Sequence, residues 1–255
     1  MRRIKIPYGD APSTYGHLYL PSETSRGDGP APLVVLVHGG YWSTEYSLVV
    51  YTGLARLLAQ RGAVVWNVEY RRVGEDAGGW PTTGRDVVDA LSALDGSVTD
   101  QLATADITVD HAHAAVVGHS AGGQLAVYAA ARLRGATRRF TFGTVIAQSP
   151  VLDFTETGAF DRPSVVELMG APFAQIPDRY REASPSEQAP FDSTVAVIHT
   201  VGDQSVPIEM SRRYVADATV RGQSAVLYEV PGEGHDAFVD PKSAATRQTL
   251  RVLGI

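Results

Sequence analysis

The sequence predicts an α/β fold, a mostly parallel twisted sheet of about eight strands with helices on both faces. Three observations carry that expectation. Apolar, β-branched runs alternate with stretches of helical periodicity along nearly the whole chain. The run Leu33–Val37 is apolar at every position, as expected of a strand covered on both sides. Residues 114–117 form another apolar run that breaks at Gly118, presents Ser120 and leads into the helix formers of 124–133.

In chain order, 3–8 and 15–21 read as a hairpin or edge pair, followed by a Gly-, Pro- and Ser-rich loop over 22–32. After the strand Leu33–Val37 come a helix over 46–61, a strand over 63–70 and a glycine-rich loop over 74–81. A helix over 83–94 carries Val87, Val88, Leu91 and Leu94 at helical spacing. Beyond the strand-turn-helix unit lie a strand over 143–148, a strand over 194–199, a helix over 208–221, a strand over 224–230 and a helix over 241–253. Between 149 and 193 the alternation stops. Phe154, Phe160, Leu168, Met169, Phe173 and Tyr180 are scattered there among prolines. A long irregular insertion between core strands is usually functional, so 150–192 is expected to form a small cap on a single domain spanning 1–255.

The bulk properties narrow the partners. With 255 residues, 44% apolar and 20% charged, the chain has enough apolar material for a full core. A net charge of -6 and the lack of a basic run disfavour nucleic acid and anionic membranes. The absence of cysteine excludes disulfides, a thiol nucleophile and thiolate metal sites. The N-terminal residues have no apolar stretch behind their basic pair, and no segment approaches the roughly 18 apolar residues of a membrane helix. The expectation is a cytoplasmic protein, monomeric or homodimeric, acting on a small molecule.

The chemistry centres on Gly118-His119-Ser120-Ala121-Gly122, the G-x-S-x-G pattern. Side chains two residues either side of a serine on so sharp a turn would collide, and glycine at both places removes the clash. The pattern resembles the nucleophile elbow of the α/β-hydrolase superfamily, a likeness covering about 33–238. A serine hydroxyl needs a neutral imidazole to take its proton and an anion to hold that imidazole. In that superfamily the partners follow in the order Ser, acid, His. Asp203, in Val201-Gly-Asp-Gln-Ser-Val-Pro207, lies just past a strand and fits the acid, although a helix-capping aspartate would look the same. Asp153 is the second candidate. His235, in Pro231-Gly-Glu-Gly-His235, is the only one of seven histidines in the loop after the last strand. His17 and His199 fall on strands, while His38 and His119 belong to other motifs. Asp110-His-Ala-His113 lacks a third ligand and reads as a connecting loop, so no metal is expected.

The segment Val37-His-Gly-Gly-Tyr-Trp42 leaves its strand through Gly39 and Gly40. The amides of Gly40 and Tyr41, with that of Ala121, are expected to stabilise an oxyanion, and His38 to brace the loop. Tyr41 and Trp42 fit either a substrate pocket or core packing. His38-Gly-Gly-Tyr-Trp42 also resembles the H-G-G-x-W signature of kynurenine formamidases and related HGG esterases. Tyr70-Arg71, Gly79-Trp-Pro81 and Asp86 are similar to the segment that follows the next strand in those families. The resemblance implies Ser120 as nucleophile, Asp203 as acid, His235 as base and no cofactor, with Arg71 and Asp86 as a structural ion pair. The implied substrate is a small ester, or an arylamide or formamide, cleaved through an acyl-enzyme. A kynurenine-type leaving group would need a carboxylate partner, for which Arg162, Arg179 and Arg181 are the candidates. An acyltransferase or thioesterase on the same triad, or a non-catalytic binding protein on the same fold, are the other readings.

Overall fold

The apolar runs come together in one eight-stranded sheet in the computed structural model, which describes residues 1–156 and 158–255. Thr157, within the expected cap, lies outside the described residues. The strands are β1 (Arg2–Pro7), β2 (Tyr15–Leu20), β3 (Leu33–Val37), β4 (Val64–Val68), β5 (Ala114–His119), β6 (Phe142–Gln148), β7 (Thr194–Thr200) and β8 (Ala225–Val230). Their spatial order is β1-β2-β4-β3-β5-β6-β7-β8. The expected hairpin is present: β1 pairs antiparallel with β2, and β2 antiparallel with β4. From β4 to β8 every pairing is parallel.

Period-two alternation divides the core between the two faces of the sheet. Val35, Val37, Trp66, Val116 and Val197 point to one side, where α2 (Thr82–Ser92), α4 (Ala121–Arg132) and α7 (Ile208–Val220) cover them. Val34, Leu36, Val65, Val117 and Ile198 point to the other, under α1 (Thr52–Gln60) and α8 (Ala244–Leu253). The alanines and glycines of α4 leave ten of its twelve residues buried, so this helix packs deep behind β5.

Three helical expectations shift. The helix expected from 46 starts at Thr52, preceded by a 3-10 turn over Leu48–Tyr51, because Leu48 is held by tertiary bonds. Its N–H donates to Glu69 Oε2 at 3.0 Å, and its carbonyl accepts from Asn67 Nδ2 at 2.9 Å. The terminal helix begins at Ala244 and not at 241, since Ser243 caps it and the Glu233 carboxylate accepts the N–H groups of Ala244 and Ala245 at 2.6 and 2.8 Å. An eight-residue helix, α3 (Ser97–Thr104), has no counterpart in the sequence expectation. The excursion over 149–193 holds two seven-residue helices, α5 (Pro163–Met169) and α6 (Pro177–Ala183), each opened by proline.

Topology positions the site. The chain crosses from β4, on one side of β3, to β5 on the other, so the sheet's switch point lies between β3 and β5. Loops leaving the C-terminal ends of such strands form a crevice there. The loop after β3 carries Gly39–Trp42, and the turn after β5 carries Ser120. The loops after β7 and β8, which carry Asp203 and His235, leave the same edge.

Candidate active site

Ser120 sits between β5 and α4 with φ 53° and ψ -119°, a conformation that side chains rarely adopt. The flanking glycines are needed for contact reasons that distances make plain. A Cβ on Gly118 would lie 2.1 Å from the Gly122 carbonyl oxygen, and one on Gly122 would lie 2.1 Å from the Val37 carbonyl oxygen. The elbow is therefore wedged against its own first turn and against the end of β3.

Loops from three strands bring the serine, histidine and aspartate together. His235 Nε2 stands 2.9 Å from Ser120 Oγ, and His235 Nδ1 stands 2.7 Å from Asp203 Oδ2. Asp203 has no exposed side-chain surface. Burial alone would raise its carboxyl group's pKa. Hydrogen bonds from His199, His235 and the Val206 N–H outweigh burial and hold it far below the usual carboxylate range. An ionised Asp203 only accepts hydrogen bonds, so His235 Nδ1 carries the proton and Nε2 turns its lone pair to the serine hydroxyl. Geometrically, this set can take a proton from Ser120 and return it to a group bound beside His235.

Two histidines that sequence reasoning left in other roles touch this relay. His199 Nε2 lies 3.4 Å from Asp203 Oδ2, and its Nδ1 is 2.7 Å from Ser211 Oγ. His119, chiefly through burial and secondarily through the neighbouring His235, has its pKa lowered to about 3, so its ring is neutral. Its Nε2–H donates to the His235 carbonyl at 3.0 Å. The four-residue spacing of His199 and Asp203 across a strand end was the available signal for the first contact. No local pattern signals the second. Asp153 is elsewhere: its carboxylate accepts from Thr155 N–H and Oγ at 2.7 Å, in a separate cavity with Glu156 and Arg213.

The loop after β3 lies against the serine. Gly40 has φ 120°, and a Cβ there would stand 2.2 Å from Tyr46 Cβ, while a Cβ on Gly39 would stand 3.2 Å from Ser120 Cβ. Tyr41 and Trp42 follow in left-handed conformations, φ 56° and 57°. Among the described residues, the N–H groups of Gly40, Tyr41 and Ala121 donate to no backbone acceptor. His38 braces the loop from behind. It stacks on Tyr70 at 4.4 Å, with Nδ1 2.8 Å from the Gly39 carbonyl and Nε2 2.7 Å from Glu69 Oε1. Burial pushes the Glu69 carboxyl pKa up, but the His38 hydrogen bond and charge, the Leu48 N–H and Arg72 together bring it below its ordinary value. Trp42 is buried at 2% exposure, donates from Nε1 to Gln124 Oε1 at 3.1 Å, and meets Phe154 edge-on at 5.5 Å. Core packing therefore accounts for most of the indole. Arg71 grips Asp86 through Nε and Nη2 at 2.8 and 2.6 Å, the bidentate ion pair the sequence suggests.

Ser120 faces two spaces. One is an open cleft of about 400 Å³ rimmed by Tyr41 and Tyr46, with His119, His235 and Asp236 on its walls. The other, beyond Trp42 and Ala121, is a narrow cavity of about 20 Å³ closed by Val165, Val206 and Arg162. Of the three arginines considered for a carboxylate, only Arg162 reaches either space. Arg179 Nη1 donates to the Met169 carbonyl at 2.7 Å, and Arg181 pairs with Asp178 at 2.8 Å. His111 stacks on Phe140 at 4.4 Å while His113 bonds Asp110 at 2.9 Å, so the two histidines serve separate structural contacts.

Comparison with known proteins places this architecture. The chain is 26% identical over 253 residues to the esterase LipC of Mycobacterium tuberculosis, a match spanning 92% of this chain and 60% of LipC. It is 31% identical over 132 residues to dipeptidyl aminopeptidase BIII of Pseudoxanthomonas mexicana, covering 47% of this chain and 18% of that protein. It thus spans less than two thirds of the length of either relative. A truncated carbohydrate esterase from gut microbiota superposes with TM-score 0.79 at 17% identity, covering 98% of this chain and 94% of that one. The thermophilic esterase Est2 of Thermogutta terrifontis superposes with TM-score 0.74 at 20% identity, covering 99% and 90%. These likenesses establish the α/β-hydrolase fold. The family model described as BD-FAE matches residues 17–217, and the chain belongs to that family.

Proposed function

We propose that this protein is a serine esterase that cleaves a small carboxylic ester through an acyl-enzyme, without a cofactor. The observation that carries the reading is the continuous hydrogen-bonded relay from Ser120 through His235 to a buried, ionised Asp203. Ser120 Oγ bonds to the carbonyl carbon as its proton passes to His235 Nε2. The resulting oxyanion sits at the amides of Gly40, Tyr41 and Ala121, where one lost donor typically costs about 3–4 kcal/mol of transition-state stabilisation. Collapse breaks the bond to the alcohol oxygen, which takes the proton from His235. Water then adds to the acyl-enzyme by the same route, its proton going to His235 and on to the released Ser120 oxygen. A carboxylic acid leaves. Likeness to the esterase LipC and to solved esterases supports the ester over the amide.

The His38-Gly-Gly-Tyr-Trp42 loop keeps a formamide as the second reading. The test sets p-nitrophenyl acetate beside N-formylkynurenine, with Ser120→Ala as the blank. Turnover of the acetate above roughly 10⁴ M⁻¹s⁻¹, within the usual enzyme range, and its loss in Ser120→Ala are the expected result. Faster cleavage of the formamide would transfer the assignment to an amidohydrolase. Equal turnover by Ser120→Ala would refute the serine mechanism.

A further inference from the structure

We propose that the open cleft takes a divalent transition cation of the zinc class between His119, His235 and Asp236, and that the bound ion switches the relay off. The site stands on geometry; its consequence for turnover rests on the serine-esterase reading above.

A ligand atom from each of these three side chains lies within 4.8 Å of those of the other two. The hydrogen bonds around them leave lone pairs open. His119 Nε2–H donates to the His235 carbonyl at 3.0 Å, so Nδ1 carries a lone pair, and that atom has no hydrogen-bond partner among the described residues. His119 is 5% exposed and lines the cleft, which makes Nδ1 an acceptor with nothing to accept. His235 Nδ1–H points to Asp203 Oδ2 at 2.7 Å, leaving the Nε2 lone pair beside Ser120 Oγ. A metal-binding imidazole commonly gives its other N–H to a carboxylate or a backbone carbonyl, and both rings already do so. Asp236, exposed at the start of the 3-10 turn over His235–Val239, brings a carboxylate that makes no hydrogen bond or ion pair among the described residues.

Charge and ligand type select the ion. Among the described residues no lysine or arginine lines the cleft, so nothing there repels a cation beside Asp236. Two imidazoles and a carboxylate suit zinc, copper or nickel, whereas magnesium and calcium prefer shells of oxygen. Bonds of about 2.0–2.1 Å in a tetrahedron put ligand atoms about 3.4 Å apart, so the trio has to draw in by roughly 1 Å, which the exposed Asp236 side chain is free to do. The cleft, about 400 Å³ and open, admits a hydrated ion and leaves the fourth position to water. The ion then holds the lone pair that takes the proton from Ser120. Turnover stops while the ion is bound and returns when it is removed, so the cation is a reversible inhibitor and not a cofactor.

The test reads binding and turnover separately. Isothermal titration calorimetry of Zn²⁺ into Ser120→Ala, which keeps all three ligands, is expected to show one ion per chain. In the wild type, turnover of p-nitrophenyl acetate should fall with an inhibition constant matching that affinity. EDTA should restore it, and Mg²⁺ or Ca²⁺ at the same concentrations should leave it unchanged. Asp236→Asn should keep wild-type turnover after EDTA treatment, yet bind Zn²⁺ at least ~10-fold more weakly. His119→Gln, still able to donate to the His235 carbonyl, should lose affinity by a similar factor. No calorimetric binding up to roughly 1 mM would overturn the site. So would inhibition that neither variant weakens, because His235 would then be a lone ligand. Binding that leaves turnover intact, or activation by Zn²⁺, would overturn the switch. Failure of the EDTA-treated enzyme to cleave the ester would remove the serine-esterase reading, while calorimetry on Ser120→Ala would still decide the cation site.

Discussion

Replacing Asp203 with asparagine interrogates the relay, because the surrounding backbone decides which way the new amide points. Asp203 Oδ1 accepts the N–H groups of Ser205 and Val206 at 2.8 and 2.9 Å. An amide nitrogen cannot accept, so the asparagine oxygen must keep that seat or leave two buried donors unpaired, at about 1–3 kcal/mol each. The imidazoles have a way out that backbone amides lack. His199 Nε2 already has the Val206 carbonyl at 3.1 Å, and His235 can change tautomer. The asparagine NH₂ therefore faces His235 Nδ1, which becomes the acceptor, and the His235 proton moves to Nε2. That nitrogen points at Ser120 Oγ and can no longer take its proton. The loss expected for this wrong tautomer is on the order of 10⁴ in kcat. At 1.36 kcal/mol per decade that is about 5.5 kcal/mol of transition-state stabilisation. The assay is kcat on p-nitrophenyl acetate against a Ser120→Ala blank, with circular dichroism to confirm folding. Activity within about 10-fold of wild type would refute the argument, and a dead Asp153→Asn beside an active Asp203→Asn would move the acid to the other strand end.

Two further outcomes follow from the packing behind the site. Glu69→Gln strips the charge from a buried partner of His38 and Arg72 and should lower unfolding free energy by about 3 kcal/mol in urea titrations. Because the folded-state pKa of Glu69 lies below its ordinary 4.5, the unfolded chain takes up the proton first as pH falls. The wild-type contribution is thus complete above pH 4.5 and lost as pH drops through the folded value, so Glu69→Gln should show a flatter stability profile there. Parallel profiles would exclude a pH-dependent contribution from Glu69. Gly122→Ala puts a Cβ 2.1 and 2.3 Å from the carbonyl oxygens of Val37 and His38. Backbone at both contacts forces α4 and Ser120 aside, and kcat/KM should fall by at least ~10²-fold in a protein that still folds. An unaffected rate would show that the elbow is looser than described.

Much of this was legible in one dimension because its causes are local. Leu33–Val37 and the edge hairpin stand where alternation and continuous apolarity put them. The glycine at 118 is explained by a turn that ten residues of sequence contain, whereas the one at 122 must also clear the distant carbonyls of Val37 and His38. What escaped depends on distant partners. The polar stretch Ser97–Thr104 buries only Val98 and Leu102, too thin a stripe to announce a helix before the neighbouring elements are known. Leu48 is kept out of α1 by Glu69 and Asn67, residues on the far side of that helix in sequence. The order Ser120, Asp203, His235 pointed to a relay, but the contact spans 115 residues and only folding could close it to 2.9 Å. His119 gave no hint of holding the His235 carbonyl, and Trp42 left open whether it faced substrate or core. Cavity sizes, set by how α5 meets the loops after β3 and β7, have no one-dimensional signature.

The division of labour between strand ends and the 149–193 excursion bears on how such a protein can change. In the mechanism proposed here, the reacting side chains and the amides that face them hang from the edge of a sheet whose strands are buried on both sides. Part of the wall at one end of the site, Val151, Ser164 and Val165 with Arg162, belongs to a segment that contributes no strand. Exchanging that segment between homologues would graft a new appetite onto an unchanged engine. For the engineer, this makes it a cassette; for evolution, a place where selectivity can drift without risking the chemistry.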